Sequence, residues 1–362
     1  MNLEKLIYAS TESSPDMLYF AKMNIPDAIF AFTHRGKKCA LASPLEFGRM
    51  KKESDFYEIY PLNGSSEADE LAKIFSKLGL RKVEVPADFP SLMLIKLENL
   101  GLDIEVCEGE FFEKRRIKSE FEAGEISKAN NAASEAFKRV AEILKDAKIE
   151  GGILVYQGRK LTSEFLKFEI DKTCFLNGAI ASQTIAASGA QACDPHCQGY
   201  GQISANSLIV CDIFPRLKTT GYFGDMTRTF LKGKPSDAQV RLVKSVKQAQ
   251  DLAIPMIKAG VRADSVHSAV CKHFEKLGYK TELKGGAWQG FFHSTGHGIG
   301  LEVHESPRLG RAKNILSKGE VVTVEPGLYY PEIGACRIED NVFVEKDGCR
   351  KLSNFNYDWI IA

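Results

Sequence analysis

Residues 291–305 read FFHSTGHGIGLEVHE, a stretch that holds three of the chain's seven histidines, at His293, His297 and His304. Glycines at positions 296, 298 and 300 let the backbone approach a ligand closely and leave the imidazoles unobstructed. A glycine-rich turn with polar histidines is the simplest alternative. A dinucleotide site fits less well, because these glycines lack the preceding apolar strand and the following helix that a phosphate site requires.

Four carboxylates stand in apolar, strand-like runs on either side of this stretch. They are Asp212 in IVCDIF, Asp225 in YFGDMT, Glu325 in VVTVEPG and Glu339 in CRIEDNVF. A carboxylate is costly to bury unless it is paired or bound to a cation. Each one alone is more simply a solvent-facing or salt-bridged strand residue. Four of them in one domain, with the histidines between them, indicate a cation site.

The pattern of hydrophobic residues predicts two domains. In the first hundred residues, short strand-like and helix-like runs alternate, which predicts a sheet with helices packed on it. The charged run EKRRIKSEFE, residues 113–122, marks a boundary. Beyond it, helical patterns cover residues 120–148, 161–178, 236–258 and 262–277, and strand-like runs cover 207–214, 222–230, 320–325 and 335–346. We therefore expect an α/β domain over residues 1–115 and an α+β domain over residues 116–362, with Pro255 kinking the third long helix.

Composition and charge exclude several classes of protein. The 362 residues include 48 basic and 47 acidic side chains, and 44% are hydrophobic, which is typical of a globular protein. Balanced charge argues against nucleic-acid binding through a broad basic surface, and no run is long and apolar enough to span a membrane. Nine scattered cysteines, and Glu4 and Lys5 where a signal core would begin, predict a cytoplasmic protein with reduced thiols.

Five residues carry a family resemblance through their order and their contexts. The contexts are GDMTRTF, TGHGIGLEVHE, VEPGLYY and RIED, and the residues are Asp212, Asp225, His297, Glu325 and Glu339. This arrangement resembles the pita-bread metallopeptidases, and within them the proline-specific branch of Xaa-Pro dipeptidases and Xaa-Pro aminopeptidases. The resemblance implies a pita-bread catalytic domain over residues 116–362, preceded by a smaller α/β domain of the creatinase-like type.

The resemblance also implies a site for two divalent metal ions. Asp212 would bind one ion through both oxygens, Asp225 and Glu339 would bridge the two ions, and His297 and Glu325 would each bind one. An oxygen-rich shell with one imidazole favours Mn²⁺, with Co²⁺, Fe²⁺ or Zn²⁺ as alternatives. Two such ions, about 3.5–4 Å apart, can activate a bridging water. The implied reaction is hydrolysis of Xaa-Pro bonds by a metal-bridging hydroxide, with Glu325 as proton acceptor.

Further residues take roles by the same resemblance. His304 is expected to hydrogen-bond the scissile carbonyl or the developing oxyanion. The expected catalytic residues are Glu325, His304, His196 and Arg337. The expected substrate-binding residues are His293, His196, His304 and Tyr329. For His196, in DPHCQG, a histidine in a surface loop is the alternative.

Two positions depart from the family pattern. Asp212-Ile213-Phe214-Pro215 replaces the usual Asp-x-Gly, and the loop to Asp225 is slightly longer, so the sequence leaves open the shape of the entrance and the exact geometry of Asp212. Gly224 stands where serine is frequent, which we expect to be harmless. Cys193, His196 and Cys197 resemble half of a zinc site, but no second Cys/His pair stands at a matching distance.

Three other functions stay open. Methionine aminopeptidases share the ligand set but usually lack such a first domain, and creatine amidinohydrolase has the two-domain layout without metal. A metal-free pita-bread module that binds peptides or proteins is the non-enzymatic alternative, against which the intact ligand set argues. The sequence does not separate a dipeptidase from an aminopeptidase. The resemblance further implies small peptide substrates with proline in the second position, and a homodimer.

Overall fold

The computed structural model describes residues 3–64 and 66–362. The chain divides into two units, Met1–Arg115 and Arg116–Ala362. The division falls in the charged run 113–122, at the 3-10 turn Glu113–Arg116. Among the described residues, no helix is both long and apolar enough to cross a bilayer.

The first unit is built on one mixed sheet. Its strands are β1 (Glu4–Ala9), β2 (Ile29–His34), β3 (Lys37–Ala42), β4 (Glu58–Pro61), β5 (Lys82–Val85) and β6 (Asp103–Val106). Its helices are α1 (Pro15–Ala21), α2 (Pro44–Glu53), α3 (Glu67–Leu78) and α4 (Ser91–Asn99). The strand order is β4-β3-β2-β1-β5-β6, with β3–β4, β1–β5 and β5–β6 parallel. The apolar face of α3, ended by Gly79 at φ 72°, buries Leu71 and Phe75 against this sheet.

Four long helices of the second unit cover its sheets. They are α5 (Glu120–Asp146), α6 (Ser163–Leu176), α7 (Asp237–Ala253) and α8 (Ala263–Lys276). Capping boxes begin α5 at Ser119 and α7 at Ser236, which explains where these helices start. The expected kink at Pro255 is wrong: α7 ends at Ala253, and Pro255 lies in the 3-10 turn Ile254–Met256 that follows.

The strands of the second unit form two principal sheets. The strands are β7 (Lys148–Glu150), β8 (Ile153–Tyr156), β9 (Arg159–Lys160), β10 (Ala179–Ile180), β11 (Ile185–Ser188), β12 (Ile209–Ile213), β13 (Arg216–Leu217), β14 (Met226–Lys232), β15 (Glu282–Lys284), β16 (Ala287–Gln289), β17 (Gly296–Gly298), β18 (Glu305–Leu309), β19 (Val321–Val324), β20 (Gly327–Tyr330), β21 (Gly334–Arg337), β22 (Asp340–Val344), β23 (Cys349–Lys351) and β24 (Ile360–Ile361). The first sheet has the order β11-β12-β14-β24, and the second has the order β18-β17-β19-β22-β23. Small sheets pair β7-β8-β9, β10-β13, β15-β16 and β20-β21.

Three of the four carboxylates lie at strand ends rather than within strands. Asp212 is inside β12, as predicted, but Asp225 precedes β14 and Glu325 follows β19. Glu339 occupies the break between β21 and β22, which the sequence pattern had joined into one run. A strand end frees the side chain from the alternation of faces, so several carboxylates can turn towards one point.

Candidate metal centre

Asp225, His297 and Glu339 form a buried cluster that could hold a metal ion. Each offers one ligand atom, and these atoms all lie within 4.8 Å of one another. Glu325 joins them, with its Oε1 atom 3.4 Å from Nε2 of His297. The two principal sheets meet here: β12 and the residue before β14 supply two carboxylates, and the second sheet supplies the other three groups.

The tautomer of His297 fits a metal ligand. Its Nδ1 lies 3.0 Å from the carbonyl of Gly298, and only a protonated Nδ1 can make that hydrogen bond. Burial, followed by the neighbouring His304, lowers the pKa of His297 to about 3, so the ring is neutral. The lone pair of Nε2 therefore faces Asp225 at 3.6 Å and Glu325 at 3.4 Å. A lone pair that faces two carboxylate oxygens is unfavourable unless a cation lies between them.

Two orphaned oxygens support the same interpretation. Within residues 3–64 and 66–362, Asp212 Oδ1 and Glu339 Oε1 are buried and have no hydrogen-bond partner. Burial, and then the other carboxylates, raise the pKa of Asp225 and of Glu339 well above their ordinary values. Burial and Asp212 raise the pKa of Glu325 to about 7, although Arg337 opposes this. Divalent cations would satisfy these unpaired carboxylate oxygens. Carboxylate oxygens with one imidazole are ligands typical of hard and borderline metal ions.

Arg337 supplies the positive charge of the cluster. Its Nη2 atom donates to Asp212 Oδ2 at 2.6 Å, its Nη1 donates to the hydroxyl of Tyr329 at 2.9 Å, and Nε donates to Thr227 at 3.3 Å. Arg337 is only 4% exposed. The guanidinium thus orients the carboxylate of Asp212, and the expected catalytic role of Arg337 stays a prediction.

Tyr329, which the resemblance places in the substrate site, has a fully buried side chain. Its expected contact with a substrate stays a prediction. Its hydroxyl accepts from Arg337 and lies 2.9 Å from Nε2 of His293, to which it donates. Nδ1 of His293 in turn donates to the carbonyl of Ser294 at 2.8 Å. Both nitrogens of His293 are therefore engaged, and this ring borders the site as a fixed wall.

His304 and His196 are exposed at the mouth of the site. The ring of His304 packs edge-on against His297, with centroids 4.4 Å apart. His196 lies in a surface loop, as the alternative reading of the sequence had it. It nevertheless contributes to the lowered pKa of His293, after burial and Arg337, and to that of His304, after burial and Arg308. The two exposed imidazoles are thus available to a ligand that enters from solvent.

The departures from the family pattern around Asp212 leave the pairing of its strand regular. Asp212 pairs with Ile185 on one side and Thr227 on the other, in the middle of the first sheet. The longer loop forms β13 and closes where Gly224 N donates to Pro215 O at 2.9 Å. Geometry at Asp212 is therefore that of an ordinary central strand.

Gly224 is not a neutral replacement for serine. A β-carbon there would lie 2.6 Å from the backbone nitrogen of Asn130 and 2.7 Å from the carbonyl carbon of Ala129, both in α5. This close approach lets Asp225 N donate to Asn130 Oδ1 at 2.9 Å. Glycine is thus required because α5 holds the Asp225 turn directly.

Sequence reasoning missed three residues that shape the site. Thr227 donates to Glu339 Oε2 at 2.8 Å. The hydroxyl oxygen of Thr323 accepts from the backbone N–H of His297 at 3.1 Å, and the hydroxyl donates to Glu325 Oε1 at 3.5 Å. Arg308 stands directly opposite His297 in the β17–β18 pair, so both side chains lie on one face. The alternation of β18 could have revealed Arg308, but that strand was not predicted.

A mixed α+β fold with a buried cluster of carboxylates and one imidazole defines a metal-dependent hydrolase of the pita-bread type. The family model for metallopeptidase family M24 matches residues 124–346. This chain belongs to that family, whose members use divalent metal ions. The resemblance and the fold class predicted from the sequence are confirmed.

Relatives and solved structures agree with this assignment. The chain is 28% identical over 367 residues to the Xaa-Pro dipeptidase of Pyrococcus furiosus, covering 97% of each chain. It is 33% identical over 264 residues to an uncharacterized peptidase of Methanocaldococcus jannaschii, covering 71% of this chain and 69% of that one. The Xaa-Pro dipeptidase of Bacillus anthracis has a TM-score of 0.86 at 25% identity, over 99% of this chain and 95% of the other. The prolidase of Pyrococcus horikoshii has a TM-score of 0.83 at 26% identity, over 99% and 96%.

Proposed function

We propose that this protein hydrolyses Xaa-Pro peptide bonds with two divalent metal ions held by five residues. These residues are Asp212, Asp225, His297, Glu325 and Glu339. The observation that carries the proposal is the lone pair of His297 facing two carboxylates beside orphaned buried oxygens. The dipeptidases among the relatives support the proline preference. No observation favours a methionine aminopeptidase, a creatine amidinohydrolase or a binding module.

When bound, the ions would lower the pKa of a shared water from about 15.7 to about 7 and polarise the scissile carbonyl. Glu325 would accept the proton of the attacking water and hand it to the proline nitrogen. It suits this role because it follows β19 directly, is held through its backbone N–H to Thr295 O at 2.8 Å, and keeps a partly exposed carboxylate. We infer Mn²⁺ as the metal from the oxygen-rich donor set.

His304 would stabilise the charge that develops on the carbonyl oxygen. Its side chain is partly exposed and packs edge-on against His297, so its ring lies next to a carbonyl bound at the centre. Partial burial, and then Arg308, lower the pKa of His304 and leave a neutral ring whose N–H can donate. His196 and the fixed ring of His293 would complete the walls of the substrate site.

Arg308 favours a dipeptidase. In an Xaa-Pro dipeptide the terminal carboxylate lies on the proline itself, next to the scissile bond. The exposed side chain of Arg308 shares a face with His297, and after burial and His304 its charge also lowers the pKa of that ring. A guanidinium on this face of the strand pair can bind that carboxylate through two hydrogen bonds.

Arg308→Met should raise KM for an Xaa-Pro dipeptide by about ten- to a hundredfold, because a hydrogen bond to a charged group contributes about 1.5–3 kcal/mol. The value of kcat should change little. An Xaa-Pro-Xaa tripeptide, whose carboxylate lies one residue further away, should be affected less. The matched control is Arg311→Met, an exposed arginine whose charge acts on His267 instead. Equal effects of the two variants on the dipeptide would contradict the role of Arg308.

The experiment that tests the function compares two dipeptides under Mn²⁺, one with proline second and one with alanine second. We expect hydrolysis of the proline dipeptide, its loss after chelation and its return with Mn²⁺. Activity that survives chelation, or hydrolysis of only the alanine dipeptide, would contradict the proposal. Protein that stays inactive and free of metal after Mn²⁺ addition would favour the binding module.

Two further properties extend the proposal. All nine cysteines lie in the described part of the chain and are free, which supports a reducing compartment such as the cytoplasm. A homodimer is inferred from the family resemblance alone. Sedimentation should give twice the chain mass of 40.1 kDa, and a monomer would remove that inference.

A further inference from the structure

The ladder between β19 and β22 ends just before two of the candidate ligands. The last registered pair is Val324 with Asp340. Glu325 and Glu339 lie one residue beyond it, where the ladder no longer sets the spacing between the two strands. Another contact must therefore set the distance between these two residues.

Gln250, in α7, makes that contact. Its side chain is fully buried. Its Nε2 atom lies 3.2 Å from Val324 O, 3.4 Å from Ile338 O and 3.0 Å from Asp340 Oδ2. All three neighbours are acceptors, so the amide must present its nitrogen to them. The two carbonyls belong to the residues that directly precede Glu325 and Glu339.

The side-chain oxygen of Gln250 shows that space filling alone does not account for a glutamine at this position. Among the described residues, Oε1 of Gln250 is buried and has no hydrogen-bond partner. A buried acceptor without a partner costs about 1–3 kcal/mol. Leucine or methionine would fill the same space without that cost. The cost is accepted because the amide nitrogen ties the two strand ends together.

Asp340 extends the connection to the opposite sheet and to the C-terminal segment. Its fully buried carboxylate accepts from Arg228 at 2.9 Å, from Ser353 at 2.6 Å and from Tyr357 at 2.7 Å. Arg228 also donates to the carbonyl of Glu339 at 2.7 Å. The segments that carry Asp225, Glu325 and Glu339 are thereby joined through one set of buried hydrogen bonds.

We propose that Gln250, with Asp340 and Arg228, is a positioning residue that holds Glu325 and Glu339 at the spacing needed to bind metal ions. The proposal rests on the proposed function, because it assumes that these carboxylates are ligands. Hydrogen bonds behind metal ligands typically contribute ten- to a hundredfold to metal affinity. The network is complete only when the C-terminal segment with Ser353 and Tyr357 is in place, so that segment supports the centre from behind.

The test compares Gln250→Leu with Gln239→Leu in the full chain. Gln239 lies on the same helix, is buried, and donates to two backbone carbonyls, those of Asn206 and Ile333 at 3.0 and 3.4 Å. Neither carbonyl adjoins a candidate ligand. Chelator-treated protein is titrated with Co²⁺ and followed by calorimetry and by the visible absorption of the bound ion. Thermal melts of the metal-free proteins report the loss of stability in each variant.

We expect Gln250→Leu to weaken Co²⁺ binding about ten- to a hundredfold and to change the absorption spectrum, while Gln239→Leu binds as the wild type does. If Gln250→Leu does not fold, Tyr357→Phe removes one hydrogen bond from Asp340 and should weaken binding about two- to tenfold. If the folded variants bind Co²⁺ with wild-type affinity and spectrum, the positioning role of Gln250 is wrong, while the proposed function is unaffected. A wild-type protein that binds no Co²⁺ would instead overturn the proposed function.

Discussion

Glu325→Gln should lower turnover by about a hundred- to ten-thousandfold, the usual contribution of general acid–base catalysis. Glutamine keeps the shape of the side chain but removes the proton acceptor and one negative charge. The affinity for one metal ion should also fall. Excess Mn²⁺ should not restore turnover, because a refilled site still lacks the base. Steady-state kinetics on an Xaa-Pro dipeptide at rising Mn²⁺ concentration measures both effects.

His297→Ala is the control for a ligand without a proton role. His297 offers only its Nε2 to the centre, since Nδ1 is bonded to Gly298 O. Its loss should weaken metal binding, and high Mn²⁺ should recover part of the turnover. If saturating Mn²⁺ returns Glu325→Gln to near wild-type turnover, then Glu325 is only a ligand and the proton acceptor lies elsewhere.

Arg337→Met should lower the free energy of unfolding of the metal-free protein by about 3–5 kcal/mol, because it leaves a buried charge without its partner. The Arg337–Asp212 pair is only 5% and 12% exposed, and the same guanidinium acts on Glu325 and Tyr329. Divalent cations neutralise the same carboxylates. Saturating Mn²⁺ should therefore stabilise the variant more than the wild type. Urea unfolding with and without Mn²⁺ measures both differences.

The double variant Arg337→Met/Asp212→Asn removes both partners of that pair. It should be less destabilised than Arg337→Met alone, because no uncompensated charge remains at position 212. A loss of less than about 1 kcal/mol in the single variant, the range of a surface ion pair, would contradict the account of Arg337 as the countercharge of the cluster.

The sequence predicted the long elements well because their signals are local. Helix α5 begins at Ser119 with a capping box, and its apolar positions recur at helical spacing over Glu120–Asp146. The same reasoning missed α2, where Gly48 and several charges interrupt the pattern. It also missed β1, because only the central Leu6 and Ile7 of EKLIYA are buried and the alternation typical of a strand is absent. Short elements of this kind depend on the sheet that forms around them.

The candidate ligands could be listed from their order and contexts, but their surroundings could not. The tautomer of His297 depends on a carbonyl in its own turn, and the burial of Tyr329 depends on its contact with Arg337 and His293. The requirement for Gly224 depends on α5, nearly a hundred residues away in the chain. These features depend on the folded geometry of the backbone and on contacts between side chains, which no local sequence pattern reports.

The central claim is that five side chains hold two divalent ions in this chain. The most direct measurement is equilibrium dialysis of the chelator-treated protein against Mn²⁺, with the bound metal counted by elemental analysis. We expect two bound Mn²⁺ ions per chain, the number a two-metal hydrolytic site requires, and loss of bound metal in Asp225→Asn. A wild-type chain that retains no Mn²⁺, or retains as much as Asp225→Asn does, would contradict it.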